Sequence, residues 1–290
     1  MPISTLTGMD PQAKTSTEPE FRLTMPGRAE NVAIVRQALG GAIGVLELSE
    51  SRLLDINAAV SEACNNVVVH AYRGEEGPME IFLCVGEDEV QVVVVDEGVG
   101  IQAKYPEPDD ELQGLGLSLI QTLSDRVEFL GGIGEGTTVR MAFALDDSPD
   151  RRDWEIPSDS RDLDPPPGEL TLAVTAGMLA APVLGRVIAM LAARAGFSLE
   201  GVSEAQLVTD SLAAHVPRVL LGSRIMLGID RPARELVVRV GPLEAQGAQK
   251  ILDASALGDL PPLLERLTKE RQVESIEDGE LLRLTLVNPD

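Results

Sequence analysis

Apolar positions along this chain recur with two periods, and the switches between them predict two runs of elements in the same order. Alternation predicts a strand over Phe21–Thr24, and helical spacing then predicts helices over Ala29–Ile43 and from about Glu50 to His70. Two apolar strands follow, "MEIFLCV" and "EVQVVVVD", separated by the turn "GEDE". A glycine-containing loop leads to a helix over Leu115–Ser124, and "RVEFLG" and "TTVRMAFAL" supply two more strands. Helices stacked on one face of a mixed sheet would bury the apolar side of both layers. The expected class is therefore α+β, a two-layer α/β sandwich.

Residues 1–19 are polar and unpatterned and read as a flexible tail. Residues 146–168 are rich in Asp, Ser and Pro, which resist helix and strand packing, and read as a linker. Beyond it the order repeats: "ELTLAVTAGMLAAPVLGRVIAML" follows the template of the first strand and helix, "RELVVRVG" falls where "EVQVVVVD" stood, and "GELLRLTL" falls on the last strand. A tandem duplication predicts one domain over 20–145 and a second over 169–290.

Composition narrows the function classes. A length of 290 residues with 44% hydrophobic content fills two cores of ordinary size. A formal charge of −23 repels phosphate backbones and argues against direct nucleic-acid binding. There is no run of about 18 apolar residues and no leader-like start, so no membrane span and a cytoplasmic location are expected. Cys64 and Cys84 are too few for a disulfide framework and read as small core residues.

Candidate chemistry clusters in the first half. On the second helix Glu62 and Asn66 fall at i and i+4, on one face, while Val60, Cys64, Val67 and Val68 can turn toward the sheet. A carboxamide oxygen there suits Mg²⁺, and Glu62 suits a base toward a hydroxyl; such pairs are also common on solvated helix faces. In "VVVVDEGVGI" an apolar strand ends in Asp96 and turns on Gly98 and Gly100, where a carboxylate could read an amine, or simply close a strand. "GLGLSLI" puts Gly114 and Gly116 at a helix start, where free N–H groups favour phosphate. "GEGTTVRM" adds Gly134, Gly136, Thr137 and Thr138 at the entry to the last strand, as a support for Asp96 or as a plain hairpin.

These four segments, in this order, resemble the GHKL (Bergerat-fold) ATPase superfamily. Glu62 and Asn66 stand for its N box, Asp96 to Gly100 for its first glycine box, Gly114 to Gly116 for its second and Gly134 to Thr138 for its third. The wording "SEACNNVVVHAY" resembles the anti-sigma factor serine/threonine kinases of bacterial partner switching. The resemblance covers about Phe21 to Leu145. It implies ATP with Mg²⁺ at Asn66, Glu62 as catalytic base, and nucleotide contacts from Asp96, Gly98, Gly100, Gly114, Gly116, Gly136, Thr137 and Thr138. It also implies phosphorylation of a small, STAS-type anti-sigma-factor antagonist, a sigma factor as alternative partner, Arg36 as a partner-binding residue, and dimers through the sheets. A second copy in one chain would then form an intrachain pseudo-dimer, with a homodimer as the alternative.

Two departures from that pattern matter. The segment "QAKYPEPDDELQ" before the second glycine box is acidic where kinase members often carry a cation, so ATP binding is better supported than transfer. A non-catalytic, nucleotide-dependent protein-binding switch is the alternative. The second half has "TDSLAAHV" at the N box, Gly241 at the Asp96 position, and Glu280 with Leu281 at the threonine pair. It keeps the apolar pattern and lacks the nucleotide residues.

Overall fold

The computed structural model describes residues 19–46, 48–86, 88–100, 115–145, 164–254 and 261–288. Strand β1 (Phe21–Pro26) leads through a single 3-10 turn (Ala29–Asn31) into helix α1 (Val32–Ile43). Helix α2 (Glu50–Asn66) starts at Ser49, whose hydroxyl accepts the Arg52 N–H, and runs on as a π-helical turn over Val67–Ala71. Strands β2 (Pro78–Val85) and β3 (Glu89–Asp96), helix α3 (Leu115–Leu123), and strands β4 (Arg126–Leu130) and β5 (Thr137–Ala144) complete the first half. The second half comprises β6 (Leu170–Thr175), α4 (Ala180–Arg194), α5 (Leu199–His215), β7 (Arg224–Asp230) and β8 (Glu235–Leu243). It closes with α6 (Gly247–Ala254), α7 (Leu263–Leu267), β9 (Glu270–Ile276) and β10 (Gly279–Val287).

The ten strands among the described residues form one sheet in the order β4-β5-β3-β2-β1-β6-β7-β8-β10-β9. Every pairing in it is antiparallel, which corrects the expectation of a mixed sheet. The reason is the number of helices in each connection. Two antiparallel helices between β1 and β2 return the chain pointing the opposite way, so the two strands pair antiparallel. The single helix α3 would leave β3 and β4 parallel, and β5 lies between them.

Period-2 alternation sends one row of each strand toward the helices. Phe21, Leu23 and Met25 of β1, Ile81 and Leu83 of β2, and Val92 and Val94 of β3 are buried in a core that continues through Leu170, Leu172 and Val174 of β6. Each such residue contributes about 1.5–3 kcal/mol by leaving water. The opposite row carries cross-strand ion pairs, among them Arg22–Glu80 at 2.9 Å, Arg140–Glu128 at 3.0 Å and Arg239–Asp230 at 2.6 Å.

The halves meet at β1 and β6, where Leu23 faces Leu172 and Phe21 faces Val174. Above this seam α1 crosses α4 closely. A Cβ on Gly41 would lie 2.6 Å from the Pro182 carbonyl oxygen and 2.9 Å from the Val183 Cα, so only glycine permits the approach. Arg28 bridges the halves at the rim, 2.7 Å from Glu76 and 2.5 Å from Glu169. Among the described residues no helix is long and apolar enough to cross a membrane.

Candidate functional site

The inward row of β3 runs Val90, Val92, Val94, and its next member is Asp96. Alternation thus carries a carboxylate onto the helix-facing side at the strand end, where it is only 6% exposed. Its Oδ1 accepts the Gly98 N–H at 2.8 Å, and Thr137, its cross-strand neighbour, also hydrogen-bonds it. Burial raises the Asp96 carboxyl above the ordinary carboxylate range, against the opposing effect of these donors.

Asp96 lines a cavity of about 300 Å³ with Asn66, Val67, Ala71, Gly100 and Thr137. Val94, Leu117, Phe129 and Val139 supply its apolar walls. A mostly apolar slot with one buried carboxylate at its base suits a flat heterocycle bearing an amine. Two side chains that the sequence reading passed over, His70 and Arg73, also line it. Arg73 has a left-handed backbone, with φ of 53°, uncommon for a residue with a side chain.

The N-box helix and the glycine loops interlock around this cavity. The Val99 N–H donates to the Ala71 carbonyl at 2.9 Å, which ties the loop after β3 to the π turn. The Gly134 N–H donates to the Val99 carbonyl at 2.9 Å and the Gly136 N–H to the Gly98 carbonyl at 3.2 Å, so the β4–β5 connection clasps the same loop. Gly100 has φ of +76°, and a Cβ there would lie 1.9 Å from the Gly132 carbonyl oxygen. Tyr72 adds a bridge that the sequence reading did not foresee: its hydroxyl accepts the Glu97 N–H at 2.9 Å and donates to the Pro78 carbonyl at 2.5 Å. The signal was an aromatic six residues after Asn66 in a chain that contains only two tyrosines.

On α2, Val60, Cys64 and Val67 are buried and Val68 is half-buried, which leaves Glu62 and Asn66 half-exposed on the neighbouring face. The helix ends at Asn66, four residues short of the expected His70, and the π turn that follows widens it just at the cavity. The Asn66 Nδ2 is buried without a hydrogen-bond partner among the described residues. A Cβ at Gly116, on the first turn of α3, would meet the Glu62 Oε1 at 2.1 Å. The second glycine box therefore lies against the N-box carboxylate.

Other expected members fall elsewhere. Thr138 pairs with Val95 and sits on the opposite row of β5 from Thr137, so it does not line the cavity; neighbours on one strand cannot both face Asp96. Gly114 and the acidic segment Gln102–Gln113 lie outside the described residues. Arg36 is exposed on α1 and is not part of the cavity.

The corresponding region of the second half is built differently. Glu280 accepts the backbone N–H groups of Gln246 at 3.0 Å and Ala248 at 3.4 Å, so a carboxylate of the chain itself occupies the start of α6. His215 turns its Nδ1 to the Ser211 carbonyl at 2.8 Å, within its own helix, and Leu281 is buried.

Comparison with known proteins agrees with this geometry in extent. The model of the histidine kinase-like ATPase domain matches residues 25–143. Serine-protein kinase RsbW of Bacillus pumilus (strain SAFR-032) is 35% identical over 140 residues, which is 43% of this chain and 85% of that protein. Anti-sigma F factor of Oceanobacillus iheyensis is 33% identical over 138 residues, 44% of this chain and 94% of that protein. Among solved structures, the RsbU and RsbW domains of Rv1364c from Mycobacterium tuberculosis match 43% of this chain and 31% of that one at 22% identity. The TM-score of 0.34 is too low to bear on fold or function. By the cover and identity of its curated relatives, the chain belongs to the family of RsbW-type serine-protein kinases and anti-sigma F factors, built on a histidine kinase-like ATPase domain.

Proposed function

We propose that the first half is an ATP-dependent serine/threonine kinase of a partner-switching system, which phosphorylates a small anti-sigma-factor antagonist and alternatively holds a sigma factor. One observation carries this reading: a buried carboxylate, Asp96, at the base of a cavity whose rim carries Asn66, with Glu62 against Gly116 beside it. Asp96 accepts the adenine amino group and Thr137 supports it. The unpartnered amide end of Asn66 fits a metal-bound nucleotide, because amide orientation is interchangeable and the oxygen is a hard donor. Mg²⁺ held there would neutralise charge on the phosphates. Glu62 accepts the proton of the incoming hydroxyl, and the start of α3 offers N–H groups to phosphate oxygens.

The second half acts as a built-in second protomer. Its strands repeat the order of the first, the inward leucines Leu23 and Leu172 stand opposite each other at the seam, and Glu280 caps the start of α6. The edge of β1 is thereby closed to a second chain through pairing with β6.

The direct test is transfer of labelled γ-phosphate from ATP to a small anti-sigma-factor antagonist. Labelled antagonist, with the label on a serine or threonine, is the expected result. Binding of ATP and antagonist without transfer would instead favour the non-catalytic switch.

A further inference from the structure

A second concavity, of about 390 Å³, is lined by residues of both halves. It is lined by Arg194 from the last turn of α4, by Arg231 and Arg234 from the β7–β8 turn, and by Glu30 from the 3-10 turn before α1. Three arginines and one carboxylate line it, in a chain whose formal charge is −23. Surface charge of the prevailing sign would be acidic, so a basic concavity stands out against it.

The local partners do not balance these charges. Arg231 lies 3.3 Å from the Glu30 carboxylate, and Arg194 donates its Nη2 to the Glu30 backbone carbonyl, which carries no formal charge. The Arg194 Nη1 is buried with no hydrogen-bond partner among the described residues. Arg234 makes no ion pair among the described residues and holds a left-handed backbone, with φ of 61°. Burial and the nearby Arg231 charge hold Arg194 below the ordinary arginine range, against the opposing influence of Glu30. Leaving two cations crowded around an unsatisfied N–H is costly unless an anion completes the set.

We propose that Arg194, Arg231 and Arg234 form a binding site for a phosphate dianion, free or as the monoester of a small molecule, at the junction of the two halves. The excess of two positive charges matches a dianion, and guanidinium forks match its oxygens in pairs. The concavity accommodates more than a bare phosphate. Glu30 is the first half's contribution to the concavity, so a bound anion competes with its carboxylate for Arg231.

The test uses the intact protein with saturating Mg-ADP, so that the nucleotide cavity does not contribute. Inorganic phosphate and glycerol 3-phosphate are titrated separately while the arginine Nε–H resonances are followed by NMR and the unfolding midpoint by calorimetry. The expected result is saturable movement of the Arg194, Arg231 and Arg234 signals and a rise in the midpoint with ligand. Affinity should fall about tenfold or more in the Arg231→Gln/Arg234→Gln double variant, with ADP binding retained as the sign that it is folded. Tighter binding of glycerol 3-phosphate assigns the site to a phosphomonoester, and equal binding assigns it to free phosphate. Absence of saturable shifts at these three arginines with either probe would overturn the proposal.

Discussion

The Glu62 carboxylate occupies the space where a side chain at Gly116 would begin, with its Oε1 2.1 Å from the position of a Cβ there. The two residues come from the N-box helix and from the first turn of α3, so the contact fixes the carboxylate relative to the helix start that would hold phosphate. Gly116→Ala should displace Glu62 and leave Asp96 and its cavity in place. We expect ATP affinity within a few-fold of wild type and transfer reduced about 10²-fold, as for a displacement of about 1 Å in a reacting group. Equal loss of both in binding and single-turnover assays would show that the contact serves binding alone.

Asp96 makes the stability of the site depend on pH. Its carboxyl is raised by burial, so the folded protein favours the protonated form. The stabilising contribution of that proton is complete below the ordinary carboxylate pKa and is lost as pH rises through the raised folded value. Asp96→Asn keeps the shape and removes the charge. Its stability relative to wild type should therefore increase as pH rises above the ordinary carboxylate pKa, while adenine nucleotide binding is lost. Urea denaturation of both proteins across that range checks the sign, and a difference independent of pH would contradict it.

Two glycines on the facing helices should respond oppositely to the same change. A Cβ on Gly41 meets backbone atoms of Pro182 and Val183 within 2.9 Å, whereas one on Gly185 meets nothing within 4 Å. Gly41→Ala should cost about 1–3 kcal/mol by forcing α1 from α4. Gly185→Ala should stabilise by about 0.5–1 kcal/mol through helix propensity. Chemical denaturation measures both, and equal effects would mean that the helices do not meet as described.

The seam and the Glu280 cap together predict one nucleotide per chain and no dimer through β1. Calorimetry should return a stoichiometry near one with ADP, and light scattering the mass of a single chain, 30.9 kDa. A stoichiometry near two would show that the second half binds nucleotide after all.

Much of this was legible in the sequence because it rests on local periodicity. β3 was read with its observed ends, Glu89 and Asp96, since alternation and a flanking turn define it. The same rule, applied to β5, separates Thr137 from Thr138, and reading both into the site ignored it. The π turn after Asn66 was not legible: "VVVHA" continues a helical apolar pattern, and nothing local distinguishes the wider turn. The antiparallel sheet follows from counting helices between strands. The resemblance implies two copies joined through their sheets but not that β1 and β6 are the strands that meet, because edge pairing depends on which strand is left open by the tertiary fold. The three-arginine concavity was equally invisible, since Arg194 and Arg231 are 37 positions apart and neither belongs to a motif.

The central claim, that this site transfers phosphate with Glu62 as its base, is tested most directly by measuring transfer rate and ATP affinity together for Glu62→Gln. The substitution keeps size and hydrogen-bonding reach and removes proton acceptance. ATP affinity should stay within a few-fold of wild type while transfer falls by about 10² to 10⁴. Parallel loss of both, or loss of neither, would contradict the assignment.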